Sequence, residues 1–547
     1  MAAEPVKDTH PLEEGIATVV DAKIKKNDPE TLDDAEIERL GRQRPDVFKT
    51  WVAELGFVLT ILCSLTMSEY FVSGFNIILP SISVSLDIPE QERTWPAAVI
   101  NLTTSCLLMP FTRVADRYGG KWVFFAGHSW MAAWSLIGGF SQNPTMLTVC
   151  RALQGLGPSA FMPTGFALLA SAYRPGPRKN LMFSLYGAFG CLGFYSGILL
   201  GAISVELLFW RWYFWFGAIM CAAVALGAVF FIPGDLGYID RNAKMDWWGV
   251  VTIVPSVTLI VFAFTQGSNA PDGWRTPYVY VTLIVGLILA GAAVYVQGWV
   301  SEKPLVPPAI FRLQYVKRIL GALFCGFGVY GLYLFYASFY IETVLHVQPL
   351  LTAAWFTPLA VGGIILGVAG GVLLHIFPNR VLLIFSQVGF LLCVLLFAII
   401  PEREDGKSPS ITFLYWAYIF PAMVCGTIGV DITFNIVNIF VTTAMPLHLQ
   451  SAASGIINSI LYLGMAFWLG IAQMAVSTTI QYQGDVSQSQ QYRIGFWTGV
   501  AMAGTSLLLV LTVRIGTASA ALTADEKAGA FGDATESNEE VVKSSSD

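Results

Sequence analysis

Pro110-Phe-Thr-Arg113-Val-Ala-Asp116-Arg117-Tyr-Gly119-Gly120-Lys121 lies between two long apolar runs, 95–109 and 122–140, and is rich in charge. A short charged turn joining two membrane helices lies as a rule on the cytoplasmic side, because Lys and Arg resist translocation. Here the charges alternate in sign, and Gly119-Gly120 suits the tight turn at a helix end. Two readings follow: a loop that only sets topology, or a motif with a function of its own. The flanking sequence has to choose between them.

The chain's 547 residues are 55% hydrophobic and only 12% charged, with mean hydropathy +0.62. Soluble proteins carry about twice that charged fraction. Apolar runs of about 20 residues, the length that crosses a bilayer core as helix, recur from Leu55 to Arg514. The chain therefore reads as an all-α membrane protein. The net charge of −6 excludes little, since the acidic residues concentrate in tails and loops. All eight cysteines fall inside apolar runs and read as small core residues, not as disulfides or metal ligands. No cleavable signal peptide is expected in the polar first fifty residues.

Fourteen spans are expected, at roughly 55–80, 94–112, 122–141, 145–172, 181–203, 212–233, 247–267, 277–299, 319–341, 351–375, 380–400, 412–440, 450–476 and 493–514. Charge asymmetry supports an even number with both termini cytoplasmic: the inner connections hold about 18 Lys and Arg, the outer ones about 6. The inner turn near Pro446–Gln450 is the exception, with His448 but no Lys or Arg. Residues 1–50 and 515–547 read as disordered cytoplasmic tails, with a short surface helix conceivable at 31–44. Between them the expected organisation is a first six-helix half at 51–235, two extra central helices at 236–300 and a linker at 301–318. A second six-helix half follows at 319–514. The linker's prolines in Glu302-Lys-Pro-Leu-Val-Pro-Pro-Ala-Ile-Phe-Arg312 forbid a continuous helix, and Ile310 and Phe311 suit a membrane surface.

A charge at a helix centre costs on the order of 2.5–3.5 kcal/mol on insertion scales, so its presence asks for a reason. Glu69 in span 1, Arg151 in span 4 and Asp431 in span 12 are such charges. Thr66, Glu69, Ser73 and Asn76 share one helical face, as do Thr427, Asp431, Asn435, Asn438 and Thr442, and as do Ser451, Ser454, Asn458 and Tyr462. Arg151 and Gln154 share a face of span 4, ahead of Gly155 and Gly157, and Asn101 lies inside span 2. These stripes read either as interhelical hydrogen bonds or as the wall of a wet cavity. Glu342 and His375 fall at span ends and read as interfacial. The five histidines show no metal-ligand spacing, and no phosphate-binding loop is present. Neither an enzyme, nor a metal site, nor a cofactor, nor a nucleic-acid partner is expected.

The opening stretch resembles the loop motif of the major facilitator superfamily, G-x-L-a-D-r-x-G-r-K. Asp116, Arg117, Gly119 and Lys121 match, while Thr112 replaces the first glycine and Gly120 the second basic residue. Arg151-Ala-Leu-Gln154-Gly155-Leu-Gly157 looks like that family's span-4 motif, whose arginine is implicated in proton coupling; Trp210-Arg-Trp212 and Asn76-Ile-Ile-Leu-Pro80 also resemble family patterns. Gly371 to Arg380 aligns with a degenerate second copy of the loop motif, His375 standing in the Asp place. Fourteen spans and the proline-rich linker resemble the drug:proton antiporter branch, nearest the fungal aminotriazole-resistance type.

The resemblance implies the major facilitator fold, a latching role for Asp116, Arg117, Gly119 and Lys121, and close helix packing at Gly193, Gly197 and Gly201. It further implies a monomeric, proton-coupled exporter of small organic or toxic compounds in the plasma membrane, or else the vacuolar membrane. The proton-coupling or substrate-cavity candidates are Glu69, Asn76, Asn101, Arg151, Gln154, Asp431, Asn435, Asn438 and Asn458. Arg151 is expected to act on the two carboxylates by proximity. Two departures favour a second reading. The span-5 exporter motif has Ile198 where its proline stands and Ala202 for its last glycine, and the usual span-1 acid aligns with Phe71, not Glu69. An importer or facilitator of a small polar or inorganic solute, such as ammonium or boric acid, fits those departures.

Overall fold

The computed structural model describes residues 43–513 apart from 46, 174–176, 235, 237–244, 268–269, 272, 313, 402–408, 444, 446 and 485. Nearly all of each tail therefore lies outside the described residues, as do Arg174, Arg241 and Lys244. The described elements are helices throughout. They are α1 (Trp51–Ser85), α2 (Thr94–Tyr118), α3 (Gly120–Gly138), α4 (Pro144–Gln154), α5 (Leu156–Ala172), α6 (Pro177–Glu206), α7 (Arg211–Phe231), α8 (Trp247–Gln266) and α9 (Pro277–Tyr295). After the linker come α10 (Val316–Phe339), α11 (Pro349–Trp355), α12 (Thr357–Ile376), α13 (Asn379–Ala398), α14 (Phe420–Thr443), α15 (Leu447–Gln483) and α16 (Gln488–Leu511).

Helix, whole or broken, occupies each of the fourteen expected intervals, but among the described residues only twelve helices are long and apolar enough to cross a membrane. Two expected spans fall short for distinct reasons. Lys121, His128 and three tryptophans dilute the apolar character of α3. The expected span 145–172 is broken into α4 and α5, of 11 and 17 residues. Pro158 explains the break: it has no N–H to give the Gln154 carbonyl, and its ring crowds that turn. Pro358 interrupts the α11–α12 pair at Phe356 in the same way.

Packing repeats itself along the chain. In the first part α1 packs on α6 and α3 on α7; in the second, α10 packs on α15 and α13 on α16. The two parts meet through α2 on α15, and through α6 on α11 and α12, while the α8–α9 pair leans on α2 and α15. Both sets depend on small residues. A Cβ at Gly193 would lie 2.5 Å from the Thr66 Cα, one at Gly197 2.5 Å from the Tyr70 carbonyl oxygen, and one at Gly201 3.0 Å from the Gly74 carbonyl oxygen. The three glycines, four residues apart, thus form a notch that seats the α1 backbone. In this notch Thr66 and Ser73 donate to the Phe189 and Phe194 carbonyls, at 3.1 and 2.7 Å.

One knot fastens the linker. Asp246 caps α8 by accepting from the Gly249 amide at 2.9 Å, and its other oxygen accepts from Gln297 at 2.6 Å and from the Leu305 amide at 3.3 Å. Gln297 in turn accepts from the Val306 amide at 2.8 Å. A buried carboxylate at 8% exposure is thereby held by three N–H donors.

The notch makes a direct test possible. Gly197→Leu should lower the detergent melting temperature by several degrees and broaden the size-exclusion profile, since overpacking costs about 1–3 kcal/mol. Gly187→Ala, where nothing lies within 4 Å of the added Cβ, should leave both unchanged. Equal melting of the two variants would refute the notch.

Candidate functional site

Glu69 and Asp431, both candidates for the wall of one cavity, lie on α1 and α14, helices from the two parts of the chain. Glu69 lies half-buried near the middle of α1, and the Tyr462 hydroxyl of α15 donates to its Oε1 at 3.4 Å. Ser68 Oγ lies 3.1 Å from the same hydroxyl. Asp431, half-buried in α14, has the Cys191 thiol of α6 at 4.0 Å from its Oδ1, and Gly363 of α12 beside its Oδ2. Cys191 of α6 thus borders Asp431, and Tyr462 of α15 borders Glu69. Among the described residues neither carboxylate has a Lys or Arg within ion-pair distance. The two acidic side chains are thus bordered by a tyrosine and a thiol at long contacts, 3.4 and 4.0 Å.

Among the described residues Arg151 makes no ion pair with either carboxylate. It is fully buried, with Nε donating to the Pro96 carbonyl at 3.2 Å, Nη2 to the Phe71 carbonyl at 3.1 Å and Nη1 to Gln154 Oε1 at 3.3 Å. Its guanidinium carbon sits 3.8 Å from the centre of the Phe75 ring. The cation therefore ties α4 to α1 and α2 through carbonyls and an aromatic face, with no carboxylate partner. Gln154 Nε2 and Asn101 Oδ1 are buried beside this region without a protein partner.

The asparagines divide. Asn76, Asn438 and Asn458 each donate to a carbonyl one turn back on their own helix, at 2.9, 3.0 and 2.9 Å. Asn435 is half-buried on α14, one turn beyond Asp431. Thr66 and Ser73 serve α1–α6 packing, and Thr427 bonds the Leu359 carbonyl at 3.3 Å. The expected polar stripes thus divide: Thr66, Ser73, Thr427 and Tyr462 bond a neighbouring helix, while Asn76, Asn438 and Asn458 bond their own. Side chains of Thr442, His448 and Ser451 lie outside the described residues, as does that of His375. Glu342, expected at an interface, has its Oε1 buried without a protein partner in the turn after α10.

At the loop motif, Gly119 adopts φ 89° between α2 and α3, a conformation that suits glycine alone. Lys121 donates to the Val229 carbonyl at 3.0 Å, capping the C-terminal turn of α7. The degenerate second copy repeats this: Arg380, aligned with Lys121, donates to the Leu511 carbonyl of α16 at 3.3 Å. Arg113 lies 4.0 Å from Asp116 and donates to the Pro304 carbonyl of the linker at 3.1 Å. The Arg117 guanidinium lies 5.5 Å from the centre of the Tyr118 ring. Sequence reading missed a companion cluster at this end, where Arg178 grips buried Glu54 at 2.6 and 2.7 Å and Tyr173 donates to it at 2.9 Å. Glu54 stands just ahead of the first apolar run, where an acid reads as part of the tail.

Residues 61–469 match the sequence profile described as Major Facilitator Superfamily. A low affinity ammonium transporter of Saccharomyces cerevisiae is 30% identical over 77% of this chain and 80% of its own length. The efflux pump terJ of Aspergillus terreus is 28% identical over 84% and 87%, and the aminotriazole resistance protein of S. cerevisiae 26% over 85% of each. Among solved structures, a peptide transporter in complex with sulfate superposes with TM-score 0.60 at 16% identity, covering 88% of this chain and 97% of that one.

Replacing Arg151 tests its tie. Arg151→Lys should lower the melting temperature, because one ammonium cannot reach the Pro96 and Phe71 carbonyls and Gln154 together. Hydrogen bonds to a charged group are worth about 1.5–3 kcal/mol each. Wild-type melting for this variant would sink that role.

Proposed function

Because the chain belongs to the Major Facilitator Superfamily, we propose that it is a proton-coupled exporter of small cationic organic compounds, working by alternating access. The observation that carries this reading is that two half-buried acids, Glu69 and Asp431, one from each part of the chain, have no Lys or Arg at ion-pair distance among the described residues, with Tyr462 reaching across to Glu69. Two carboxylates without a basic partner accept either protons or a cation, and exchange of one for the other is antiport. One proton moving down 100 mV supplies about 2.3 kcal/mol, enough to drive a solute uphill.

The finer architecture belongs to the same proposal. Residues 51–235 and 319–514 form two six-helix halves, with two extra helices at 236–300 and a linker at 301–318. On this reading α3 and the α4–α5 pair cross the membrane too, which makes fourteen crossings: α3 is packed on both α5 and α7, and α5 resumes one residue after α4 ends. Both termini and the loop motif at 116–121 lie in the cytoplasm, as the charge asymmetry favours. Asp116, Arg117, Gly119 and Lys121 set the inner gate, and the protein acts as a monomer in the plasma membrane. The likeness to efflux pumps favours export, as does the similarity to the aminotriazole resistance protein.

The second reading, import of a small cation, has an observation of its own in the ammonium transporter at 30% identity. It also fits α6, which runs unbroken from Pro177 to Glu206 with Ile198 buried where exporters carry proline. Overexpressing cells separate the two: export lowers retention of a preloaded cation, and import raises uptake from the medium.

In proteoliposomes with an imposed proton gradient, Glu69→Gln and Asp431→Asn should each reduce gradient-driven transport at least about tenfold, a barrier change of about 1.4 kcal/mol, with monodisperse protein retained. Transport that survives both substitutions, or that ignores a protonophore, would remove the carboxylate pair from the mechanism.

A further inference from the structure

The end of the bundle opposite the loop motif holds a small cleft with about 20 Å³ of free space, room for little more than one water while Arg93 is in place. One wall is the turn between α1 and α2, which brings Glu90 and Arg93; the other is made by α10, α15 and α16, which bring Tyr336, Phe339, Gln473 and Tyr492. The two walls come from opposite halves of the chain.

Aromatic rings surround the cleft. The Tyr492 ring centre lies 6.0 Å from that of Tyr336 and 6.2 Å from that of Phe339. The Tyr336 ring fits its place because Gly495 faces it, where a Cβ would come within 2.7 Å of the ring. Although Tyr336 is only 2% exposed, its hydroxyl oxygen has no protein partner, and Gln473 is 6% exposed. Into this setting Arg93 extends, its guanidinium carbon 5.8 Å from the centre of the Phe339 ring and its Nη1 3.4 Å from Glu90. Its Nε is buried without a partner. The Arg93–Glu90 contact is long and partly solvated, so it holds weakly.

Aromatic faces, a carboxylate and an unengaged phenol are what an organic ammonium or guanidinium ion seeks. Here the protein's own guanidinium lies over the Phe339 ring and against Glu90, and leaves the Tyr336 hydroxyl unengaged. We propose that this cleft is a second cation site, distinct from the carboxylate pair, which Arg93 plugs from within. An alkylammonium or guanidinium solute competes with Arg93 for the Phe339 and Tyr492 faces and for Glu90, and the Tyr336 hydroxyl completes its shell. While Arg93 stays seated, it fastens the α1–α2 turn to α10; a bound solute releases that fastening at the end where the halves must part. The cleft's place on a transport path rests on the cation reading above. Its binding chemistry rests on these residues alone.

Tetramethylammonium is the probe, titrated by saturation-transfer NMR into the full chain in nanodiscs. Arg93→Ala should bind it about tenfold more tightly than wild type, because the competing cation is gone, and Arg93→Gln should do the same. Adding Phe339→Ala or Glu90→Gln to Arg93→Ala should reverse the gain. The gain should persist when Glu69→Gln and Asp431→Asn are also present. If neither Arg93 variant binds more tightly, or if Phe339→Ala leaves the gain intact, the cleft is not a cation site. If the gain vanishes with the Glu69 and Asp431 substitutions, the probe sits at the carboxylate pair, which overturns this proposal and upholds the earlier one.

Discussion

The seat of α1 in the glycine notch of α6 fixes the rest of the arrangement. Backbone-to-backbone approach at Gly193, Gly197 and Gly201 leaves no room for α1 to rotate or slide. Thr66 and Ser73 are pinned into α6 carbonyls on either side of Glu69, so the carboxylate must project beside that seam, towards Tyr462. Helices in lipid gain little from apolar contact with one another, because lipid tails are as apolar as leucine, so close fit and hydrogen bonds decide the register. The same α6 presents Cys191 to Asp431. One packed pair therefore aims both acidic side chains at a common region.

The buried charges are treated in two ways, and the contrast separates structure from function. Glu54 is gripped at 2.6 and 2.7 Å by Arg178, and Asp246 accepts three N–H groups at 2.6–3.3 Å. Arg151 is spread over two carbonyls, an amide and a ring. Removing an ion from water costs several kcal/mol, and these three recover the cost locally. Glu69 and Asp431 do not: their closest described polar contacts are a tyrosine at 3.4 Å and a thiol at 4.0 Å. These two therefore recover the least of that cost from the described protein contacts, and the proposed role in proton or cation exchange rests on that difference.

Much of this was legible in the chain. Length and hydropathy located the helices, and the alternating charges around Asp116 located the turn at Gly119. The alignment of Gly371–Arg380 with the loop motif set Arg380 in the place of Lys121, but did not show that each bonds a carbonyl at a helix C-terminus. The failures have a common cause: periodicity reports which face of a helix a residue occupies, not what that face meets. Ser73 and Asn76 share a stripe with Glu69, yet one bonds α6 and the other its own helix. Arg151 was expected to act on the carboxylates by proximity, and its described bonds go to the Pro96 and Phe71 carbonyls and to Gln154. The break at Gly155 follows from Pro158, yet an 11-residue piece followed by a 17-residue piece still reads as one apolar run. Cys191 left no polar signature at all.

The contacts also indicate where motion is permitted. Lys121 and Arg380 bind α3 to α7 and α13 to α16, each within its own half, so those pairs move as units. Between the two parts α2 packs closely on α15, and further contacts sit at both ends. At the loop-motif end Met109 packs against Gly455, and Arg113 holds the linker. At the other end Glu206 accepts from the Leu350 amide at 2.9 Å, Tyr195 meets Thr357 at 2.9 Å, and Arg93 lies over Phe339. Alternating access needs one end to part while the other holds, pivoting near the middle. Near that middle Tyr462 crosses to α1, its hydroxyl 3.1 Å from Ser68 and 3.4 Å from Glu69, so parting there must break both contacts. The longer of the two is the weaker, and it is the one made to the carboxylate.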